Sequence, residues 1–184
     1  MFREEKLAWN VVISPENLDL MGEKLRRAII LRVLEDFAIK KATKDLGYFT
    51  CVTTLENIGE GKVRMFTGEV LFPVSFKAIT FKAFEGEVLE GVVTKVIKTG
   101  IFVSCGPIEH VYITAAKMPG WHYVSGENPV FLSGKMQTIG IDSFLRFLVL
   151  KTKWLEAERE FQVLGSLEGD FLGPCQGGSG SPVL

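Results

Sequence analysis

The apolar residues of this 184-residue chain change their spacing once, between Lys82 and Gly86. Before that point a segment with helical spacing lies among strand-like runs, and after it only short strand-like runs follow. Because the two patterns bury differently shaped faces, the change predicts two folding units. We predict an α+β domain over residues 1–82, a β domain over 83–173 and a disordered, glycine- and serine-rich tail over 174–184.

The first unit is predicted to contain one long helix over about Gly22 to Lys41. Ser14 and Pro15 form a helix-start signal ahead of it, because serine caps a helix and proline is tolerated at its first position. One face of the helix should pack on a sheet. The apolar stripe on that face consists of Leu25, Ile29, Ile30, Val33, Leu34 and Phe37.

The sheet of the first unit is predicted from three runs rich in aromatic and β-branched residues, at 7–13, 48–55 and 68–81. Pro73 has no N–H to donate, which predicts an edge position or a bulge in the third run. Residues 58–62 form a glycine-containing loop between two strand-like runs, and an ordinary hairpin turn is one interpretation of that loop.

The second unit is predicted from five strand-like runs and a short helical turn at 115–118. A five-stranded set with a small helix after the third strand is typical of a partly open Greek-key barrel, the OB fold. Residues 120–136 hold three glycines and one proline and are predicted to be an insertion loop. The five runs lie at 86–98, 101–105, 108–113, 141–151 and 160–167.

Composition excludes several classes of protein. The net charge of −1 gives no overall basic excess, so any contact with nucleic acid must be local. Apolar stretches are too short to span a bilayer, and the N-terminus does not have the pattern of a signal peptide. Cys51, Cys105 and Cys175 are odd in number and widely spaced, which favours a reducing compartment over a disulfide framework or zinc site.

No catalytic constellation is visible in the sequence. His110 and His122 are the only histidines, and neither belongs to a nucleophile elbow or a metal-binding array. Glu156, Glu158 and Glu160 alternate near a predicted turn, which indicates a solvated strand edge or a partner-binding surface. We therefore expect no enzymatic activity, no metal and no cofactor.

Glycines, valines and rings follow a recognisable order in the second unit. The pattern runs from Phe84 to Val103 and continues at Val111-Tyr112-Ile113. Gly91 and Gly100 permit strand coiling and a tight turn, while the alternating valines fill a barrel. This pattern resembles the RNA-binding OB barrel of the ribosomal S-one type.

That resemblance implies an RNA-binding face. Phe102 and Tyr112 would display rings that stack unpaired bases, and Lys95, Lys98 and Arg146 would attract phosphate. The alternative is that the rings pack in the core or in an interface and that the lysines are solvated surface residues.

A more specific resemblance spans both units, over about residues 1–173. Its four blocks occur in the same order as in the seventh, or stalk, subunit of eukaryotic DNA-directed RNA polymerases. The resemblance implies a truncated ribonucleoprotein-like tip domain that docks on the polymerase core near the clamp. Ile58, Gly59 and Gly61 would let the backbone approach that core closely. The blocks are Thr53–Gly61, Gly68–Val74, Phe81–Val88 and Gly165–Gly173.

Four segments depart from the polymerase II form and resemble the plant form of RNA polymerases IV and V, which act in RNA-directed DNA methylation and gene silencing. The implied partners are the fourth polymerase subunit, the largest core subunits and nascent single-stranded RNA, in the nucleus. Two alternatives stay open: the equivalent subunit of RNA polymerase II, and a free-standing OB-fold RNA-binding factor. The departing segments are 7–13, 117–119, 126–129 and 154–162.

Overall fold

The computed structural model describes residues 1–19, 21–134 and 136–175, and its contacts divide the chain into two compact units. One unit spans Phe2–Lys82 and the other begins at Ala83. The first contains one α-helix on an antiparallel sheet, and the second contains a closed β-barrel with a small additional sheet. The predicted α+β fold with an OB barrel is confirmed. In the part of the chain that the structure describes, no helix is both long and apolar enough to span a bilayer.

The sheet of the first unit has five strands, β1 (Phe2–Ile13), β2 (Ala42–Thr43), β3 (Gly47–Ile58), β4 (Lys62–Val63) and β5 (Val70–Phe81). The last strand, β5, lies at its centre. It pairs with β1 along its whole length on one side and with β3 and β4 on the other, while β2 extends the sheet beyond β3.

Helix α1 spans Glu23–Ile39, within the predicted bounds. Ser14 and Pro15 begin a separate 3₁₀ turn over Pro15–Asn17 ahead of α1, although the Ser14 side chain makes no capping hydrogen bond. The Asp19 side chain satisfies two backbone N–H groups at the start of α1. Its carboxylate accepts hydrogen bonds from the N–H of Leu25 at 3.0 Å and from that of Lys24 at 3.2 Å. The bond from Leu25 is the main reason that the pKa of Asp19 lies below its usual value.

Half of the predicted helix stripe forms the core of the first unit. Ile29, Val33 and Phe37 are buried against the sheet. The prediction was wrong for Ile30 and Leu34, whose side chains are 37% and 45% exposed. A helix that contacts a single sheet buries a narrower arc than the six-residue stripe covers.

Pro73 lies in the central strand, so the edge position was wrong, whereas the other predicted possibility, a bulge, is present in the strand edge that faces Pro73. It pairs with Asn10 of β1 on one side, and its carbonyl accepts from Gly59 N–H at 2.7 Å on the other. The N and C=O of one strand residue point toward the same neighbour. The missing N–H of Pro73 therefore faces the gap between β3 and β4, where no ladder bond is lost.

The barrel closes because its last strand, β13, runs parallel to β8 and also pairs with β12. The five predicted runs correspond to β6, β7, β8, β12 and β13, and a 3₁₀ turn at Ala115–Lys117 follows the third of them. The strands of this unit are β6 (Val88–Ile97), β7 (Gly100–Cys105), β8 (Ile108–Thr114), β9 (Trp121–Val124), β10 (Val130–Ser133), β11 (Thr138–Ile139), β12 (Phe144–Leu155), β13 (Glu160–Ser166) and β14 (Gly173–Pro174).

The insertion at 120–136 is not a plain loop, and that prediction was wrong. About half of it, the strands β9 and β10, belongs to a three-stranded sheet in which β10 pairs with both β9 and β11. Phe131 and Ile139 are 1% and 0% exposed, and Tyr123 packs its ring on Phe131 at 5.6 Å. A few buried side chains are enough to order strands this short between glycine-rich turns.

Close packing of the barrel backbone explains why residue 91 is a glycine. A Cβ at Gly91 would lie 2.5 Å from the carbonyl oxygen of Ser104 on the paired strand β7.

The start of the predicted tail belongs to the β sheet. Pro174, the first residue of the expected tail, forms β14 together with Gly173, and the two pair with Leu145–Arg146 of β12. The rest of that prediction, over 176–184, falls outside the described residues.

Candidate nucleic-acid interface

Two aromatic rings lie side by side on the outer face of the barrel. Phe102 on β7 and Tyr112 on β8 are direct cross-strand partners, with ring centroids 4.9 Å apart and planes tilted by 37°. Both are half-buried, whereas Ile101 and Val103 on either side of Phe102 are fully buried. The rings therefore point away from the barrel core, and the alternative that placed them in the core does not hold.

The ring pair is held in a fixed orientation. The Tyr112 hydroxyl lies 3.0 Å from the carbonyl oxygen of Thr99 and 3.1 Å from its Oγ1, and it donates to the carbonyl. A tyrosine that is anchored at its hydroxyl loses little rotational freedom when a ligand stacks on its face.

Two adjoining grooves flank the rings. A groove of about 480 Å³ lies between the ring pair and strands β12 and β13, where Lys151 and Lys153 line it. A second groove of about 540 Å³ lies on the β6 side and is lined by Lys95. Phe102 and His110 border both grooves, so the two form one continuous face across the barrel.

The lysines of this face are available to a ligand. Lys95, Lys151 and Lys153 are exposed, and within residues 1–19, 21–134 and 136–175 none of them forms an ion pair or side-chain hydrogen bond. An ammonium without a protein partner keeps its full attraction for phosphate. Lys95 was predicted from the sequence, but the other two lysines were not, because the predicted strand ended at Lys151 and the direction of its side chains depends on a bulge between Val149 and Lys151.

Lys98 and Arg146, also predicted to attract phosphate, lie apart from the grooves. Lys98 is exposed in the turn between β6 and β7. Arg146 pairs across strands with Glu90, whose Oε1 accepts from Nη2 at 2.6 Å and from Nε at 2.9 Å. The same hydrogen bond raises the pKa of Arg146, and it occupies the guanidinium that a phosphate would need. The structure thus brings together Lys95, Phe102 and Tyr112 of the five predicted residues.

The three alternating glutamates do not converge on one centre. Glu156 accepts from the indole N–H of Trp154 at 2.6 Å, and Glu160 lies 3.5 Å from His110 Nε2. Glu158 lines the groove beside the rings. Across the described part of the chain, no group of three or more His, Cys, Asp or Glu side chains is arranged to hold a metal ion.

The glycine segment of the first unit is a bulge in a strand edge, so the hairpin interpretation of residues 58–62 was wrong. Strand β3 ends with Ile58 opposite Val74, and β4 resumes on the same side of β5 with Lys62 opposite Leu71. The hairpin turn comes later and joins β4 to β5 across Arg64–Glu69. The three residues 59–61 therefore lie opposite only two residues of β5. A regular ladder pairs residues one to one, so this strand edge has one extra residue.

Both glycines of this bulge are needed by the unit's own packing. A Cβ at Gly59 would lie 2.7 Å from Pro73 Cγ, and a Cβ at Gly61 would lie 2.6 Å from Phe72 Cε1. Ile58 packs against the buried core of the unit. The close backbone approach expected here is thus an approach to β5, while docking on a polymerase core stays a prediction.

Similarity to known proteins supplies the family. No family model matches the chain. It is 56% identical over 174 residues to DNA-directed RNA polymerase V subunit 7 of Arabidopsis thaliana, across 95% of this chain and 98% of the relative. It is 52% identical to DNA-directed RNA polymerase IV subunit 7 of the same plant, across 95% and 99%.

A more distant relative belongs to another polymerase. The chain is 34% identical to DNA-directed RNA polymerase II subunit RPB7 of Glycine max, across 94% of this chain and 96% of that protein. All three alignments cover both folding units, from the helix-on-sheet unit to the barrel. The chain therefore belongs to the subunit 7 family of DNA-directed RNA polymerases.

Proposed function

We propose that this chain is a noncatalytic stalk subunit of a nuclear RNA polymerase IV or V, which acts in RNA-directed DNA methylation and gene silencing. The observation that supports this assignment is the gradient of identity, from 56% and 52% for subunits named for polymerases V and IV to 34% for a polymerase II subunit. The equivalent polymerase II subunit and a free-standing RNA-binding factor are the alternatives.

In this proposal the barrel binds nascent single-stranded RNA. The ring pair of Phe102 and Tyr112 stacks unpaired bases, and Lys95, Lys151 and Lys153 attract the phosphates on either side. The unpaired ammonium groups beside outward rings support this role, since single-strand binders combine a basic groove with stacking platforms. Lys98 and Arg146 contribute less, because both lie outside the grooves.

The first unit, residues 1–82, serves as the docking domain. The bulge at Ile58, Gly59 and Gly61 lies next to the hairpin that joins β4 and β5. Met65 and Phe66 in that hairpin are 83% and 104% exposed, and apolar side chains this exposed favour a protein partner. The partners are the largest core subunits and the fourth subunit, which forms a heterodimer with this chain in the nucleus.

Affinity purification from nuclear extract tests the assignment to a polymerase. Tagged chain should bring down the largest subunit of polymerase IV or V together with a fourth subunit, as identified by mass spectrometry. Recovery of the polymerase II largest subunit would favour that alternative. A chain that purifies with no polymerase subunit would contradict the proposal.

A double substitution tests the RNA-binding face. Phe102→Ala with Tyr112→Ala should weaken binding of a short single-stranded RNA by about 10- to 100-fold, because one base stacked on the ring pair contributes about 1–3 kcal/mol. Phe144→Ala is the matched control, since Phe144 is a 39% exposed ring on β12 that lines neither groove. Circular dichroism should show intact folding of both variants, and unchanged RNA affinity of the double variant would refute the RNA face but not the docking role.

A further inference from the structure

The groove beside the ring pair contains one feature that a general RNA-binding surface does not need. Glu158, in the turn between β12 and β13, lines this groove together with Lys151 and Lys153. Within the described residues its carboxylate forms no ion pair and no hydrogen bond, not even with these two lysines. A negative charge in such a groove lowers affinity for phosphate, but it also offers two hydrogen-bond acceptors to a base that stacks on the rings.

We infer that this groove is a base-selective subsite that binds a single unpaired guanine, with Glu158 as the group that recognises it. The inference rests on the proposed RNA-binding role of the barrel and adds a specificity to it. At about 480 Å³ the groove lies in the size range of small-ligand pockets. The stacking surface of Phe102 and Tyr112 forms one wall, where it holds a base by its face.

The chemistry of a carboxylate selects among the four bases. An ionised carboxylate only accepts hydrogen bonds, and its two oxygens accept best from two parallel N–H groups. The Watson–Crick edge of guanine presents such a pair, the ring N1–H and the exocyclic amino group. Adenine and cytosine place one amino group beside a ring nitrogen acceptor, and uracil places one N–H between two carbonyl oxygens. These acceptors repel Glu158.

The lysines complete the same selection. The third group on the guanine edge is the O6 carbonyl, which accepts from an ammonium such as Lys151 or Lys153. Gln162, which also lines the groove, both donates and accepts and therefore favours no base. Stacking selects no base either, since every base has a π-face. Discrimination thus depends on Glu158.

Fluorescence anisotropy with the full chain tests the inference. The probes are a short labelled oligouridine and the same strand with one central guanosine, adenosine, cytidine or inosine. The guanosine strand should bind about five- to tenfold more tightly than the adenosine strand. Inosine, which keeps N1–H and O6 but lacks the amino group, should fall between them.

Two glutamine variants locate the specificity. Glu158→Gln should remove the preference for guanosine while binding oligouridine at least as well as the unmodified chain. Glu109→Gln is the matched control, because Glu109 is an exposed carboxylate in the adjoining groove and the change in charge is identical. It should raise affinity for every strand equally and keep the preference.

The outcomes separate this inference from the proposed function. RNA binding with equal affinity for all five strands, or a guanosine preference that survives in Glu158→Gln, would overturn the guanine subsite and leave the RNA-binding role intact. Absence of RNA binding in the unmodified chain would overturn both.

Discussion

The glycine bulge of the first unit and the ring face of the barrel were both predicted as contact sites, yet their local structures differ. In the bulge, the close approach that Gly59 and Gly61 permit is already made to Pro73 and Phe72 of the same unit. On the ring face, the lysines have no partner in the described part of the chain. A glycine at a predicted contact site is explained first by close packing within its own unit. An unpaired charge beside an exposed ring, in contrast, indicates an external ligand.

The barrel offers the same comparison along one strand. Arg146 and Lys151 both lie on β12, but Arg146 is bound to Glu90, while Lys151 lies beside the rings and has no partner among the described residues. Equal formal charge therefore does not imply equal attraction for phosphate, because a neighbouring carboxylate cancels most of the field of the guanidinium.

The largest effect is expected from Gly61→Ala. Its Cβ would lie within 2.6–2.7 Å of buried Phe72 and Val70, which have little room to move. The free energy of unfolding of the first unit should fall by about 2 kcal/mol in urea denaturation, as for other overpacked sites. Gly126→Ala, which has open space around it, should change stability by less than about 0.5 kcal/mol.

An unchanged free energy of unfolding of Gly61→Ala would contradict the conclusion that this glycine is required for packing within the first unit. It would indicate that the glycine serves an external surface and that β5 can accommodate the added methyl group.

The next effect is expected from Lys151→Ala with Lys153→Ala. Loss of two unpaired ammonium groups should weaken single-stranded RNA binding about five- to tenfold at low salt. The slope of log affinity against log salt concentration should become shallower by about 1.4, since each phosphate contact with a single strand contributes about 0.7. Anisotropy titrations at several salt concentrations measure both quantities. A lower affinity with an unchanged slope would mean that these lysines do not contact phosphate.

The smallest effect is expected from Arg146→Ala. Because Glu90 already binds the guanidinium, RNA affinity should change less than about twofold and the salt slope should stay the same. The variant also serves as a charge control for the lysine pair, since it lies on the same strand. A loss of affinity as large as that of the lysine variant would show that Arg146 leaves Glu90 to bind RNA.

Much of the fold was predictable because burial alternates along each strand and recurs along the helix. The barrel strands and α1 were found in this way, with shifted ends. The sheet at 121–139 was missed because its strands have two to four residues, too few for a period to show. Pro73 was predicted at an edge or a bulge, and the sequence of β5 does not distinguish the two because the bulge lies in the neighbouring strand edge.

The residues of the candidate site also fall into two groups, those that the sequence predicted and those that only the tertiary structure revealed. Phe102 and Tyr112 were predicted from the resemblance to an RNA-binding OB barrel, and the two-residue period of a strand turns them outward, opposite to the buried residues that flank them. Both the strand period and the sequence blocks shared with the family can be recognised from the amino-acid sequence alone. Lys151, Lys153 and Glu158 face the rings because of barrel closure, a bulge in β12 and the turn after it. These residues are between 39 and 56 positions from the rings along the chain, so strand pairing at long range brings them together.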